Sequence, residues 1–255
     1  METQPLNILH LSDLHFGRIS QQVLFDLESF IKARKEEIHL AILTGDLTQR
    51  ARSHEFMAAR EFLNSLGCPL FLVPGNHDVP LYNLFLRFFS PYKKFLKYIG
   101  PFATNFYEDE RIAVYGMWTT DNFTVKTGRI SAKDLKCAEE RLGQVPAGKI
   151  KIIASHHPLT SIDHPRIKED LQRLLALGPK FFLWGHEHHS QVHEMIKGKS
   201  YIVASGTSIS TRTRTEANSF NFISINGSEA TVKIYRHSQE RKIFESIEET
   251  KVQFT

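Results

Sequence analysis

The amino-acid sequence predicts an α/β fold, and three observations carry that prediction. Apolar runs of strand length alternate with stretches of helical spacing through the first half of the chain. Strand-like runs then follow one another without helices near the carboxyl end. Finally, 255 residues, 41% of them hydrophobic, fit one wide-sheet core better than two small ones, so a single domain over residues 1–255 is expected. Early alternation favours parallel pairing and the late run antiparallel pairing. A mixed sheet, or two stacked mixed sheets with helices outside, satisfies both.

Ile8–Leu11 reads as a buried strand ended by Ser12-Asp13, followed by a helical pattern through Val23, Leu24, Leu27, Phe30 and Ile31. Leu40–Leu43 is a second strand closed by Thr44-Gly45-Asp46. A helix covers Ser53 to Leu66, and Leu70–Val73 is a third strand stopped by Pro74-Gly75. The stretch Leu81–Phe102, rich in Phe, Tyr, Leu and Lys and broken by Pro91, reads as two helices or a helix and a loop. Further strands are expected at Ile112–Tyr115, Ile150–Ala154, Phe181–Trp184, Tyr201–Ala204, Phe220–Ile225 and Thr231–Tyr235. Helices are expected at Ala132–Leu142 and Arg166–Leu177.

Composition narrows the classes. No apolar run approaches the roughly 20 residues of a membrane-spanning helix, and Met-Glu-Thr-Gln-Pro lacks the basic-then-apolar order of a signal peptide. The expectation is a cytoplasmic protein without a membrane partner. Cys68 and Cys137, with no CxxC spacing, read as free thiols in a reducing compartment. A net charge of +4, from 32 basic and 28 acidic residues, suits an anionic substrate, and a nucleic-acid partner is not favoured.

The chain carries 13 histidines, and His15, His77, His156, His157, His186, His188 and His189 fall into short clusters beside Asp, Gly or Pro. Those clusters, with Gly45-Asp46, are Asp13-Leu14-His15, Gly75-Asn76-His77-Asp78, His156-His157-Pro158 and Gly185-His186-Glu187-His188, and each follows directly on an expected strand. Open α/β sheets place ligand sites beyond the carboxyl ends of their strands. Carboxylate and amide oxygens mixed with imidazoles, without thiolate, suit Mn, Fe or Zn. In Asp13-x-His15 and His186-x-His188, residues two apart in an extended segment would project to one side. Gly45, Gly75 and Gly185 would permit the sharp turns that bring Asp46, Asn76 and His186 inward. Singly each cluster is weak, since a lone strand-end histidine is more often structural; the ordered set is strong.

That ordered set resembles the calcineurin-like metallophosphoesterase superfamily, whose signature runs DxH, GD, GNH followed by D or E, H, and GHxH. Leu9–Gly17, Gly45–Thr48 and Val73–Pro80, with Gly128–Leu142 and Ser205–Ile225, are similar to its bacterial branch of class III cyclic-nucleotide phosphodiesterases. The resemblance implies a β-sandwich flanked by helices and two divalent metal ions. By position, it implies Asp13, His15 and His188 on one ion and Asn76, His156 and His186 on the other, with Asp46 bridging. His77 is implied as the catalytic residue facing the leaving group, and His156 rather than His157 as ligand because it stands two positions before the proline. Two departures stand out: Glu187 lies between the paired histidines, and Gly45–Arg50 lacks the GDxxDRG pattern of the Ser/Thr phosphatase branch, which disfavours a phosphoprotein substrate.

The implied activity is a phosphodiesterase that uses a metal-bridging hydroxide on small, cyclic-nucleotide-like diesters. Two divalent ions, two aspartates and one hydroxide leave about +1, which a diester monoanion neutralises, although a monoester is also permitted. A nuclease, or a pyrophosphatase for nucleotide-linked substrates, is the alternative. A non-catalytic scaffold is disfavoured because the motif residues are all present.

Several residues carry a duller reading beside a functional one. His157 and His189 flank ligands and either contact substrate or pack outside the centre. Arg18, Arg212 and Arg214 either meet substrate phosphate or belong to solvated loops, the second reading being preferred. His10 reads as a satisfied sheet histidine, and His39, His54, His164, His193 and His237 as surface residues. Asp78 either orients His77 or points elsewhere. Leu81–Phe102 offers an aromatic wall or lid, a homodimer contact, or an ordinary amphipathic cover, the last being preferred.

Overall fold

The computed structural model describes residues 4–81, 84–120, 127–162, 165–214 and 216–254. The expected alternation appears as β1 (Leu6–Leu11), α1 (Gln21–Ala33), β2 (Leu40–Thr44), α2 (Ser53–Leu66) and β3 (Leu70–Val73). Around Pro91 the chain forms two helices, α3 (Leu84–Phe89) and α4 (Lys93–Ile99). There follow β4 (Phe106–Glu108), β5 (Ile112–Met117), α5 (Ala132–Gly143), β6 (Ile150–Ser155), α6 (Ile167–Ala176), β7 (Phe181–Trp184), β8 (Gln191–Ile196) and β9 (Ser200–Ala204). The antiparallel run β10 (Ser219–Asn226), β11 (Glu229–Ser238) and β12 (Ile243–Gln253) closes the chain.

Helix starts follow from local chemistry. Ser20 accepts a hydrogen bond from Val23 N–H and Ser131 one from Asp134 N–H, each satisfying a donor at a helix end. Gly67, left-handed at φ 64°, stops α2.

The strands form two six-stranded mixed sheets, ordered β12-β11-β10-β1-β2-β3 and β4-β5-β6-β7-β9-β8. Of the two arrangements the patterning permits, the stacked pair is the one adopted. Side-chain alternation along each strand divides the core. Ile8, Ile42, Phe71 and Val73 meet Val114, Ile152, Phe181 and Leu183 between the sheets. Leu9, Leu11, Leu43 and Leu72 face the layer of α1, α2 and α4, while Tyr115, Ile153, Phe182 and Trp184 face α5 and α6.

Three strands escape the sequence reading, β4, β8 and β12, and all three are sheet edges. These edge strands carry charge and exposure rather than an apolar run, as Ile243–Gln253 with its three acidic residues illustrates. His237 is a correction: expected at the surface, it is buried with Nε2 2.8 Å from Asp26 Oδ2. His39 is half-buried against Asp109 at 2.7 Å, His54 and His193 are exposed, and His164 lies outside the described residues. His10 is satisfied as expected, by Thr44 Oγ1 at 3.0 Å and Asn221 Nδ2 at 3.2 Å. Cys68 and Cys137 are free thiols. Among the described residues no helix is long and apolar enough to cross a membrane.

Candidate metal centre

The parallel strands β1, β2 and β3 of one sheet, and β6 and β7 of the other, deliver their carboxyl ends to one place across the seam between the sheets. The backbone there is not extended, as the pairing of Asp13 with His15 and of His186 with His188 had suggested. Asp13, His15, Asp46, His186 and His188 all have positive φ, between 48° and 69°. L-residues adopt that region at a cost of about 1 kcal/mol or more each, and such strain concentrates at functional sites. Alternate residues are turned inward by left-handed kinks, not by strand pleating. Gly45 is left-handed at φ 88°, whereas Gly185 serves close approach: a Cβ there would overlap Ser12 Oγ and stand 2.5 Å from Asp13 Oδ2.

All seven residues expected to bind metal converge. Asp13 Oδ1 lies 3.1 Å from His188 Nε2 and 3.6 Å from His15 Nε2, and the two imidazole nitrogens are 3.4 Å apart. Beside this group, His156 Nε2 lies 3.0 Å from Asn76 Oδ1, 3.3 Å from His186 Nδ1 and 3.5 Å from Asp46 Oδ1. Asp46 spans the two groups, its other oxygen standing 3.7 Å from His15 Nε2.

Backbone carbonyls aim the rings. His156 Nδ1 is 2.7 Å from Thr44 O, His188 Nδ1 is 2.9 Å from Arg212 O and His15 Nδ1 is 3.4 Å from Thr48 O. A carbonyl only accepts, so each Nδ1 carries a hydrogen and each Nε2 is the ring atom turned inward. The aspartates are braced likewise: Ser12 Oγ–H and His186 N–H donate to Asp13 Oδ2 at 2.7 and 3.0 Å, and His77 N–H donates to Asp46 Oδ1 at 2.8 Å.

The donor set fits divalent cations. Three groups of side chains, Asp13/His15/His188, Asp13/Asp46/His156 and His156/His157/His186, bring potential ligand atoms within 4.8 Å of one another. Asp13 Oδ1 is fully buried and, among the described residues, has no hydrogen-bond partner, an orphan that a cation would satisfy. Burial alone would raise the Asp13 and Asp46 carboxyls, yet the surrounding histidines hold both well below the usual carboxylate range. Conversely, burial opposes charge on His156, but Asp46 holds it up to about 9. Burial and then the His156 charge push His157 down to about 2 and His186 to about 4. The pocket favours positive charge, which metal cations would supply without a proton.

His77 sits at the partly open side, its ring centroid 5.0 Å from that of His15. Its Nδ1 donates to Gln49 O at 2.7 Å and its Nε2 lies 3.0 Å from Arg212 Nη1. Arg212 was read as a solvated loop residue, and that reading is corrected. The signal was available: its loop, like the five clusters, follows a strand of the parallel set, β9. Asp78 does not orient His77. Its carboxylate accepts from Leu47 N–H, Thr48 N–H, Thr48 Oγ–H and Gly75 N–H at 2.8–3.1 Å, knitting the loops after β2 and β3 together.

The remaining candidates divide. His157 turns Nδ1 to Thr119 Oγ1 at 2.9 Å, and among the described residues its buried Nε2 has no hydrogen-bond partner. His189 pairs with Glu216 at 3.1 Å, Arg18 is exposed, and Arg214 reaches only the Glu187 carbonyl at 3.4 Å. The Glu187 carboxylate accepts from Gln191 at 3.3 Å. A cavity of about 250 Å³ lined by Gly128, His157, Ser161, His186 and Arg214 adjoins the centre. A larger one of about 800 Å³, beside Tyr92, Trp118 and Arg129, contains none of the clustered ligands. Helix α4 is the ordinary amphipathic cover, with Phe95 and Ile99 buried and Phe56 stacked on Tyr98, while Phe85 and Phe89 of α3 are exposed.

Comparison with known proteins agrees with this geometry. The sequence profile of the calcineurin-like phosphoesterases matches residues 6–190. The chain is 28% identical over 211 residues to the glycerophosphodiester phosphodiesterase GpdQ of Enterobacter lignolyticus, covering 71% of this chain and 70% of that protein. It is 25% identical over 205 residues to the 3',5'-cyclic adenosine monophosphate phosphodiesterase CpdA of Escherichia coli, covering 72% and 70%. Among solved structures, the purple acid phosphatase PPD1 of yellow lupin superposes with a TM-score of 0.66 at 13% identity, over 99% of this chain and 54% of that one, a likeness of fold.

Proposed function

The chain belongs to the calcineurin-like phosphoesterase family, and from that premise we propose that it is a phosphodiesterase acting on small diesters across two divalent metal ions. The observation that carries the reading is the pair of adjoining donor groups that share Asp46. In this reading Asp13, His15 and His188 would hold one ion, Asn76, His156 and His186 the other, and Asp46 both, within one catalytic unit. The ions would supply Lewis-acid polarisation of the phosphoryl group and acidification of water. Mn, Fe and Zn all suit the nitrogen and oxygen donors.

The protein's own groups do the rest. Carbonyls of Thr44, Arg212 and Thr48 keep the imidazoles in the tautomer that presents Nε2 inward. The His77 N–H donates to Asp46 and holds it between the two donor groups, where it would bridge the ions, and so links the ligand framework to the acid. Burial keeps the His77 pKa below its ordinary value, against the pull of Asp46. An arriving phosphate anion favours a proton at Nε2, from where it passes to the leaving oxygen.

The relatives' substrates, a glycerophosphodiester and a cyclic nucleotide, support a diester here, as does the absence of the GDxxDRG pattern. The test is a metal-reconstituted screen of bis-aryl phosphate, aryl phosphate, cyclic AMP, cyclic GMP and glycerophosphodiesters. Hydrolysis should favour diesters, vanish on chelation and return with Mn²⁺. Full activity in verified metal-free protein refutes the metal reading; monoesters turned over far faster than every diester refute the phosphodiesterase reading alone.

A further inference from the structure

Arg212 differs from the arginines whose charge the fold neutralises. Arg173, Arg236 and Arg241 reach the carboxylates of Glu139, Glu216 and Glu245 at 2.7, 2.8 and 2.6 Å. Among the described residues no carboxylate lies within 4.0 Å of the Arg212 guanidinium. Half-buried, it sends Nη1 to His77 Nε2 at 3.0 Å. Arginine only donates, and the His77 Nδ1–H is already given to Gln49 O at 2.7 Å, so Nε2 accepts through its lone pair. A charged donor is matched with an uncharged acceptor at the open side of the centre.

The residue is also firmly placed. Ser208 Oγ donates to Ser12 O at 3.0 Å and accepts from Ser12 N–H at 3.1 Å, tying the loop to the end of β1. Ser210 Oγ–H and Thr211 N–H both donate to Arg18 O, at 2.9 and 2.8 Å, and Arg212 N–H donates to Ser210 Oγ at 3.1 Å. The Arg212 carbonyl accepts from His188 Nδ1 at 2.9 Å. One residue thus aims a ligand with its backbone and reaches His77 with its side chain.

We propose that Arg212 is the residue that binds the scissile phosphoryl group, exchanging its contact with His77 for phosphate oxygens when substrate arrives. The proposal rests on the phosphoesterase reading above. A phosphoryl group offers the planar guanidinium two oxygens, and charge-assisted bonds of this kind are about twice as strong as neutral ones. The exchange therefore runs toward the anion, and it frees His77 Nε2 to meet the leaving oxygen.

The test takes the full chain reconstituted with Mn²⁺, wild type and Arg212→Gln, and titrates inorganic phosphate by calorimetry while metal content is measured in parallel. Phosphate binding should weaken at least about tenfold, with metal content unchanged because the carbonyl at position 212 still aims His188. Guanidinium chloride should restore part of the hydrolysis rate lost in Arg212→Ala, and Arg212→Lys should bind phosphate between Gln and wild type. Unchanged phosphate affinity in Arg212→Gln overturns the proposal and leaves the phosphoesterase reading standing. So does loss of phosphate and metal together, which would make Arg212 a builder of the centre. Wild-type protein that takes up metal yet neither binds phosphate nor hydrolyses any ester overturns both.

Discussion

Gly185→Ala tests how tightly the two sheets must meet. Gly185 is not in the left-handed region, so alanine adopts its backbone without strain and the perturbation is steric. The added methyl would overlap Ser12 Oγ, lie 2.8 Å from Ser12 Cβ and 2.5 Å from Asp13 Oδ2, where ordinary contact begins near 3.4 Å. The Asp13 carboxylate must therefore retreat by about 0.9 Å, the difference of the last two distances. Metal coordination tolerates about 0.2 Å, and a misplacement of about 1 Å can cost roughly 10²-fold in rate. Overpacking of this size destabilises by only about 1–3 kcal/mol. The variant should stay folded while losing metal and at least about a hundredfold of diesterase activity. Calorimetry, plasma mass spectrometry of bound metal and turnover of a bis-aryl phosphate measure the three quantities. A variant with wild-type metal content and activity within threefold of wild type refutes the reasoning.

Two further substitutions separate roles. His77→Ala should leave metal content nearly intact and lower the rate roughly 10²–10⁴-fold, with a smaller loss for good leaving groups such as aryl phosphates. Asp46→Ala should cost both ions, and an emptied metal site in His77→Ala would show that His77 is a ligand. Far from the centre, His237→Ala removes the buried hydrogen-bond partner that stands 2.8 Å from Asp26 Oδ2, for a loss of about 1–3 kcal/mol. Its activity per folded molecule should not change, and a denaturation midpoint equal to that of wild type would contradict the buried pairing.

How much was legible in the sequence follows from where each signal originates. The inner strands β1, β2, β7 and β9 are buried on both faces and appear as apolar runs, as does the edge β3, whose Phe71, Leu72 and Val73 are buried; the edges β4, β8 and β12 bury too little to leave one. The convergence of the candidate ligands was legible because each cluster directly follows a strand. The local conformation was not: a DxH or HxH spacing looks the same in an extended segment and in the left-handed kinks found at Asp13, His15, His186 and His188. His237 was misplaced because its partner, Asp26, lies 211 positions away, and spacing along the chain carries no trace of such a pairing; for Arg212 the position of its loop after β9 was a signal, but its partner His77, 135 positions away, was not legible.

The proposed donors also come from two layers: Asp13, His15, Asp46 and Asn76 follow strands of one sheet, and His156, His186 and His188 strands of the other. Apolar packing between layers is non-directional, and resists separation better than it resists sliding. An ion gripping both sets would act as a rivet through a laminate, fixing the register of one sheet upon the other. Removing it would release shear as well as chemistry, so a change anywhere in the packed interior that lets the layers slip would be felt first where the two donor sets meet. On the proposed reading, the precision of the reaction would be set by the stiffness of the whole sandwich.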